Sequence, residues 1–116
     1  MANLISCGDL EELMASNSLY AILDVRERGE YNARQISFAT SLPRSQIEFR
    51  MPDLVPNRAI PLVVYDEDGK RAALAARSLT ELGYANVSIL DGGLGGWERQ
   101  GRPFVSGVNV PSKAFG

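Results

Sequence analysis

The chain has 116 residues, 45% hydrophobic and 22% charged, with a formal net charge of −2. That length sets the expectation of one domain with a core large enough to need neither disulfide nor metal. The mild acidity excludes the concentrated positive footprint of a nucleic-acid binder, and no apolar run approaches the roughly 20 residues of a membrane-spanning helix. The single cysteine, Cys7, rules out an internal disulfide and a cysteine-based zinc cluster. The absence of histidine removes every Ser-His or Cys-His pair and every histidine metal ligand. No metal or cofactor is therefore expected. Residues 1–14 show no basic stretch followed by an apolar one, so they are not read as a signal peptide, and a cytoplasmic location is the default expectation.

Along the chain, Ser6 precedes Leu10, Leu13 and Met14 at helical spacing, with Asp9 three residues on. This is the pattern of a capped helix over Cys7–Ala15. The apolar run 20–25 reads as a buried parallel strand. Residues 26–33 read as a charged helical turn and 36–43 as irregular chain with a short strand. A helix is expected over 44–51 with Ile47 and Met51 inward, and Pro52 and Pro56 break the pattern after it. Residues 60–65 form the clearest strand. Ala72, Ala75, Ala76, Leu79 and Leu82 make an i, i+3/i+4 stripe that Gly83 ends. Val87–Leu90 is a further strand, followed by Asp91-Gly92-Gly93 and a short helix carrying Trp97. Strands alternating with helices at short intervals imply an α/β fold with a parallel sheet covered on both faces. The glycine- and proline-containing tail reads as a linker or arm, giving a domain over 1–104 and an arm over 105–116.

The chemistry concentrates at Asp66, Glu67, Asp68, Gly69, Lys70 and Arg71, between the clearest strand and the alanine-striped helix. Such a strand-to-helix junction is where α/β folds place anion sites and nucleophiles. It offers three carboxylates and no thiol, hydroxyl or imidazole. Helix capping accounts for acids at such a place. An aspartyl nucleophile or a divalent-cation site is the functional alternative, although adjacent carboxylates on a tight turn rarely converge on one ion. Asp24 and Arg26, polar at the end of a buried strand, read as an ion pair supporting the loop. Cys7, at a helix start, is either a thiol of lowered pKa or of no consequence. Gly92, Gly93, Gly95 and Gly96 lack the spacing of a phosphate-binding loop and read as close backbone packing. Trp97, Tyr20 and Tyr65 are assigned to the core, and Arg58 and Lys70 to solvent.

Four segments then act together. Leu23-Asp24-Val25-Arg26-Glu27 is followed by Glu30-Tyr31; residues 36–43 come next; Leu82-Gly83-Tyr84 and Leu90-Asp91-Gly92-Gly93 with Trp97 complete the series. In this order they resemble the rhodanese-like domain, a sulfurtransferase fold, over about residues 5–103. Gln35 stands where that family usually carries histidine, and Ser37-Phe38 replace its Pro-Gly. The resemblance implies a three-layer α/β/α fold around a central parallel sheet. It also implies a loop of the type C-R-x-G-x-R, whose inward N–H groups cradle an anion and a cysteine thiolate. That thiolate takes a sulfane sulfur as a persulfide, and the arginines hold the anionic donor. Here Asp66 matches the cysteine, Glu67 the first arginine and Asp68 the middle residue, while Gly69 and Arg71 keep the pattern. The implied loop keeps its backbone, has no nucleophile, and repels anions through its acids. The chain thus resembles a non-catalytic domain of a tandem or multi-domain rhodanese that supports or regulates a sulfurtransferase. The implied partner is another rhodanese-like domain of the same polypeptide. The alternatives are part of a thiosulfate sulfurtransferase whose cysteine lies in another domain, or a module that binds a basic peptide through the acidic loop.

Overall fold

Apolar four-residue runs with no polar face need cover on both sides, and the sheet is built around two of them. The computed structural model describes residues 3–106. In chain order it contains β1 (Asn3–Ile5), α1 (Cys7–Ala15), β2 (Ala21–Asp24), α2 (Arg28–Ala33) and β3 (Thr40–Ser41). A 3-10 turn (Arg44–Gln46) leads into α3 (Ile47–Leu54), β4 (Leu62–Tyr65), α4 (Lys70–Glu81), β5 (Val87–Leu90) and α5 (Gly93–Arg99). The five strands form one parallel sheet in the order β1-β5-β4-β2-β3. Side chains alternate between its faces. Ala21, Leu23, Leu62 and Val64 meet Ile47 and Met51 of α3 and Ala72, Ala75, Ala76 and Leu79 of α4. Ile22, Val63 and Tyr65 meet Cys7 and Leu10 of α1 and Leu94 and Trp97 of α5. The three-layer α/β/α architecture is therefore present.

Local signals placed most elements. Ser6 caps α1, its side chain accepting the N–H of Asp9 at 3.0 Å. Gly83 ends α4 in the left-handed region at φ 95°, and the N–H groups of Gly83 and Tyr84 return to the carbonyls of Thr80 and Leu79. Two features differ from expectation. β1 was not assigned from the sequence; it is a three-residue edge strand defined only by its pairing with β5, Asn3 to Ser88 and Ile5 to Leu90. Pro52 does not stop the helix before it: α3 runs on to Leu54, and the Val55 N–H closes its last turn on the Met51 carbonyl at 2.9 Å. Burial of Met51 and Val55 outweighs the one hydrogen bond the proline cannot make. Arg58 is exposed as expected, and also donates to the Leu82 carbonyl at 2.9 Å and lies over Tyr84, 5.4 Å from the ring centre.

Phe38 adopts φ 68°. A bulky side chain in this region costs about 1–2 kcal/mol, yet Phe38 is 42% exposed. The chain after α5 folds back onto the domain. Trp97 donates from Nε1 to the Pro103 carbonyl at 2.7 Å. Arg102 lies over the Trp97 ring and pairs with Glu11. Val105 exchanges two backbone hydrogen bonds of 2.8 Å with Gln35. The arm read from 105 begins at this bridged residue, and from 107 onward it lies outside the described residues. Among the described residues no helix is long and apolar enough to cross a membrane.

Candidate functional site

The carboxyl ends of β2 and β4 are neighbours, with Asp24 in register with Tyr65. The loop that follows Tyr65 thus lies beside the residues that follow Asp24. Asp66, at the matched nucleophile position, is 1% exposed. Its Oδ1 accepts the N–H of Gly69 at 2.5 Å and its Oδ2 accepts the N–H of Arg71 at 2.7 Å. Gly69, at φ 105°, supplies the turn that brings those N–H groups round. The donors that begin α4 therefore point at a carboxylate supplied by the loop itself.

The other acids are partnered too. Asp68 Oδ1 accepts the N–H of Lys70 at 3.0 Å, and Lys70 is itself exposed. Glu67 receives Arg34 Nη2 at 2.9 and 2.8 Å and lies 3.7 Å from Arg26 Nη1. Arg34 also pairs with Glu98. Burial opposes the charge of Arg34, but the hydrogen bonds and charges of Glu67 and Glu98 together outweigh this and raise its pKa overall. Arg71 grips Glu30 through two bonds of 2.8 and 3.0 Å. That grip lowers the Glu30 pKa from 4.5 to about 2. Of the three loop acids, Glu67 is thus paired with arginine, while Asp66 and Asp68 are held by the loop's own N–H groups. Arg34 lies 33 residues from Glu67 in sequence, beyond the reach of local patterns.

Beneath the loop, Arg26 holds Asp24 through Nε at 3.0 Å and Nη2 at 2.7 Å, with both side chains shut away from solvent. The Arg26 Nη2 also donates to the Arg34 carbonyl at 2.5 Å. Burial would lower the Arg26 pKa, and the bond to Asp24, with the charges of Asp24 and Glu67, reverses the sign. Tyr65 stays a phenol, its pKa pushed well up by burial and then by the Asp24 charge. Its hydroxyl oxygen accepts the Ile36 N–H at 3.0 Å. Buried Gln35 donates its amide to the carbonyls of Tyr31 and Val105, 2.8 Å each.

The back wall is the glycine turn after β5. The N–H groups of Leu94 and Gly95 donate to the carbonyls of Asp66 and Glu67, at 2.8 and 3.0 Å. A Cβ on Gly93 would sit 2.6 Å from the Glu67 carbonyl oxygen and 2.7 Å from that of Asp66. Gly93, and Gly95 with its Cβ position 3.2 Å from the Glu67 carbonyl oxygen, therefore give the loop backbone room to lie against α5. Cys7 is elsewhere, 3% exposed on α1, and burial raises its pKa. The pKa-lowering pull of a helix start does not prevail there. Among the described residues no group of three or more histidine, cysteine, aspartate or glutamate side chains is placed to hold a metal. A cleft of about 700 Å³ opens beside the loop between Arg44, Ser45, Phe49, Arg71 and Ser78. Sequence reasoning missed it, because its walls come from two helices that only the fold brings together.

Comparison with known proteins gives one consistent answer. The rhodanese-like domain profile matches residues 6–100. The structure of thiosulfate sulfurtransferase from Pseudomonas aeruginosa superposes with a TM-score of 0.89 at 37% identity, over 94% of this chain and 21% of that one. The solution structure of the rhodanese-like domain of Alr3790 from Anabaena gives 0.82 at 27% identity, over 98% and 88%. The uncharacterized protein YibN of Escherichia coli is 29% identical over 87 residues, 74% of this chain. The chain spans 61% of YibN, so relatives of this kind are longer than the segment they share with it.

Proposed function

This chain belongs to the rhodanese-like domain family of the sulfurtransferase superfamily, and on that premise we propose that it transfers no sulfur itself and supports or regulates a catalytic rhodanese-like domain of the same polypeptide. One observation supports the reading: the loop position that resembles the family's nucleophile site holds Asp66, a carboxylate tied to the loop's own N–H groups. Persulfide formation from thiosulfate needs a thiolate to attack the outer sulfur, breaking the S–S bond and releasing sulfite. Asp66 has no sulfur to make that bond, and both its oxygens are bound to loop N–H groups. Cys7, the one thiol, is buried on another element with a raised pKa. The wider context supports a partner domain, since this chain spans only 21% of the Pseudomonas aeruginosa enzyme it superposes on so well.

The test is steady-state transfer of sulfur from thiosulfate to cyanide by the purified chain. No turnover above the buffer rate is expected. Turnover that survives Cys7→Ser would overturn the assignment of Asp66, and turnover abolished by Cys7→Ser would show that Cys7 is the nucleophile.

A further inference from the structure

We propose that the cleft between α3 and α4 binds an arginine side chain, held between Glu27, Glu48 and the ring of Phe49; the site is separate from the Asp66 cradle and does not depend on whether the chain transfers sulfur. The cleft holds about 700 Å³, with Val25 and Ile47 buried at its floor. A volume of that order suits a small ligand or one or two residues of a peptide.

Phe49 is the informative residue. It lines the cleft and is 87% exposed, the most exposed of the large hydrophobic residues described. Ile47 and Met51, on either side of it in α3, face the core. A phenylalanine turned to solvent adds nothing to that buried face, and a polar residue would serve the helix as well. The first turn of a helix accounts for an acid such as Glu48, but not for the aromatic ring beside it. A guanidinium stacks on the face of such a ring.

The charges select the occupant. Of the two arginines that line the cleft, Arg71 is answered by Glu30 through two hydrogen bonds. Glu27 and Glu48 are then set against Arg44 alone, which leaves one negative charge in excess. Among the described residues the side chains of Arg44 and Glu48 make no hydrogen bond or ion pair. A capping box with Glu30 places Glu27 at the start of α2. A ligand that satisfies this set needs a cation for the carboxylates, an apolar stem for the floor and an acceptor for Arg44. Arginine supplies all three. Its planar fork matches a carboxylate, its methylenes cover Val25 and Ile47, and its carbonyl or carboxylate oxygen meets the Arg44 guanidinium.

The experiment follows the amide NMR resonances of residues 44–49 while free arginine, N-acetyl-arginine amide or citrulline, the uncharged isostere, is added at millimolar concentration. Arginine should give saturable shifts, and citrulline should bind at least about fivefold more weakly. Saturation by both arginine forms identifies the ligand as a residue of a peptide; saturation by the free form alone identifies it as the amino acid, read at its carboxylate by Arg44. Glu48→Gln and Phe49→Ala should each weaken binding by about threefold to tenfold, with melting temperatures within about 3 °C of wild type. Glu81→Gln, which removes an equal charge from the exposed Arg77–Glu81 pair on α4, should leave affinity unchanged. The proposal is overturned by an absence of saturable shifts, by citrulline binding as well as arginine, or by Glu81→Gln weakening binding as much as Glu48→Gln. Unfolding by Phe49→Ala would make Phe49 a structural residue and would reject it too.

Discussion

Two arginine–carboxylate contacts flank the loop, one at its floor and one at its rim, and they differ in depth. Asp24 and Arg26 are 0% and 1% exposed, whereas Glu30 and Arg71 are 41% and 38% exposed. The contact chemistry is the same, a guanidinium gripping a carboxylate through two bonds. The energetics are not. A buried pair broken by loss of one partner leaves an uncompensated charge, while an exposed pair returns its partner to water. The floor and the glycine wall behind it act as scaffold and are indifferent to what the loop does. The rim and the Asp66 side chain carry the particular character of this chain. The rhodanese-like backbone here is kept with a carboxylate, Asp66, bound into the loop.

The largest expected effect falls on the floor. Arg26→Ala should destabilise the domain by about 3–5 kcal/mol, read as a shift in the urea unfolding midpoint. A loss below about 1 kcal/mol would erase the distinction between floor and rim. Next is the wall. Gly93→Ala should cost about 2–3 kcal/mol, because the obstructing atoms are loop backbone and Gly93 itself sits at φ 61°. The N–H resonances of Gly69 and Arg71 should move as the loop gives way. Unchanged resonances in a stable variant would show that the turn does not set the loop.

The rim should give the smallest effect and the clearest pH signature. The Glu30 pKa is depressed in the fold from 4.5 to about 2 by Arg71. A group with a depressed folded pKa stabilises above its unfolded value and loses that contribution as pH falls through the folded one. The melting temperature of wild type minus that of Glu30→Gln should be positive near pH 6 and shrink toward zero as pH falls from about 5 to 2. Because both partners are more than a third exposed, the whole effect should stay under about 1 kcal/mol. A difference that persists at pH 2 would mean that Glu30 acts through packing rather than charge.

What the sequence revealed depends on the range of each cause. The caps of α1 and α4, the strand β5 and the segment 23–27 are set by neighbours a few residues away, and each could be read directly. β1 could not, since three residues become a strand only by pairing with β5. The pairing of Glu67 with Arg34 bridges 33 residues, so that acid looked unopposed, and the pairing of Arg71 with Glu30 bridges 41. The substitution at Phe38 was visible as a departure from the family pattern, but its positive φ was not. Asp66 is the instructive case. Its match to the family's nucleophile position rests on the resemblance, from which the sequence implied a loop that repels anions by charge. An aspartate three residues before a glycine at a helix start is also a capping pattern. That signal pointed to a carboxylate folded into its own loop.

The account turns on one claim: the loop keeps its cradle, and Asp66 occupies the nucleophile's place within it. The most direct measurement is the intact mass of folded wild type and Asp66→Cys after incubation with thiosulfate. With Glu67 and Asp68 unchanged, the variant should gain the mass of one sulfur atom. Its introduced thiol should titrate below the ordinary value of about 8.5, because the Gly69 and Arg71 N–H groups are freed to hold a thiolate. Wild type should gain nothing and retain Cys7 unmodified. Sulfur uptake by wild type, or a folded Asp66→Cys variant that stays unmodified with an ordinary thiol pKa, would contradict the claim.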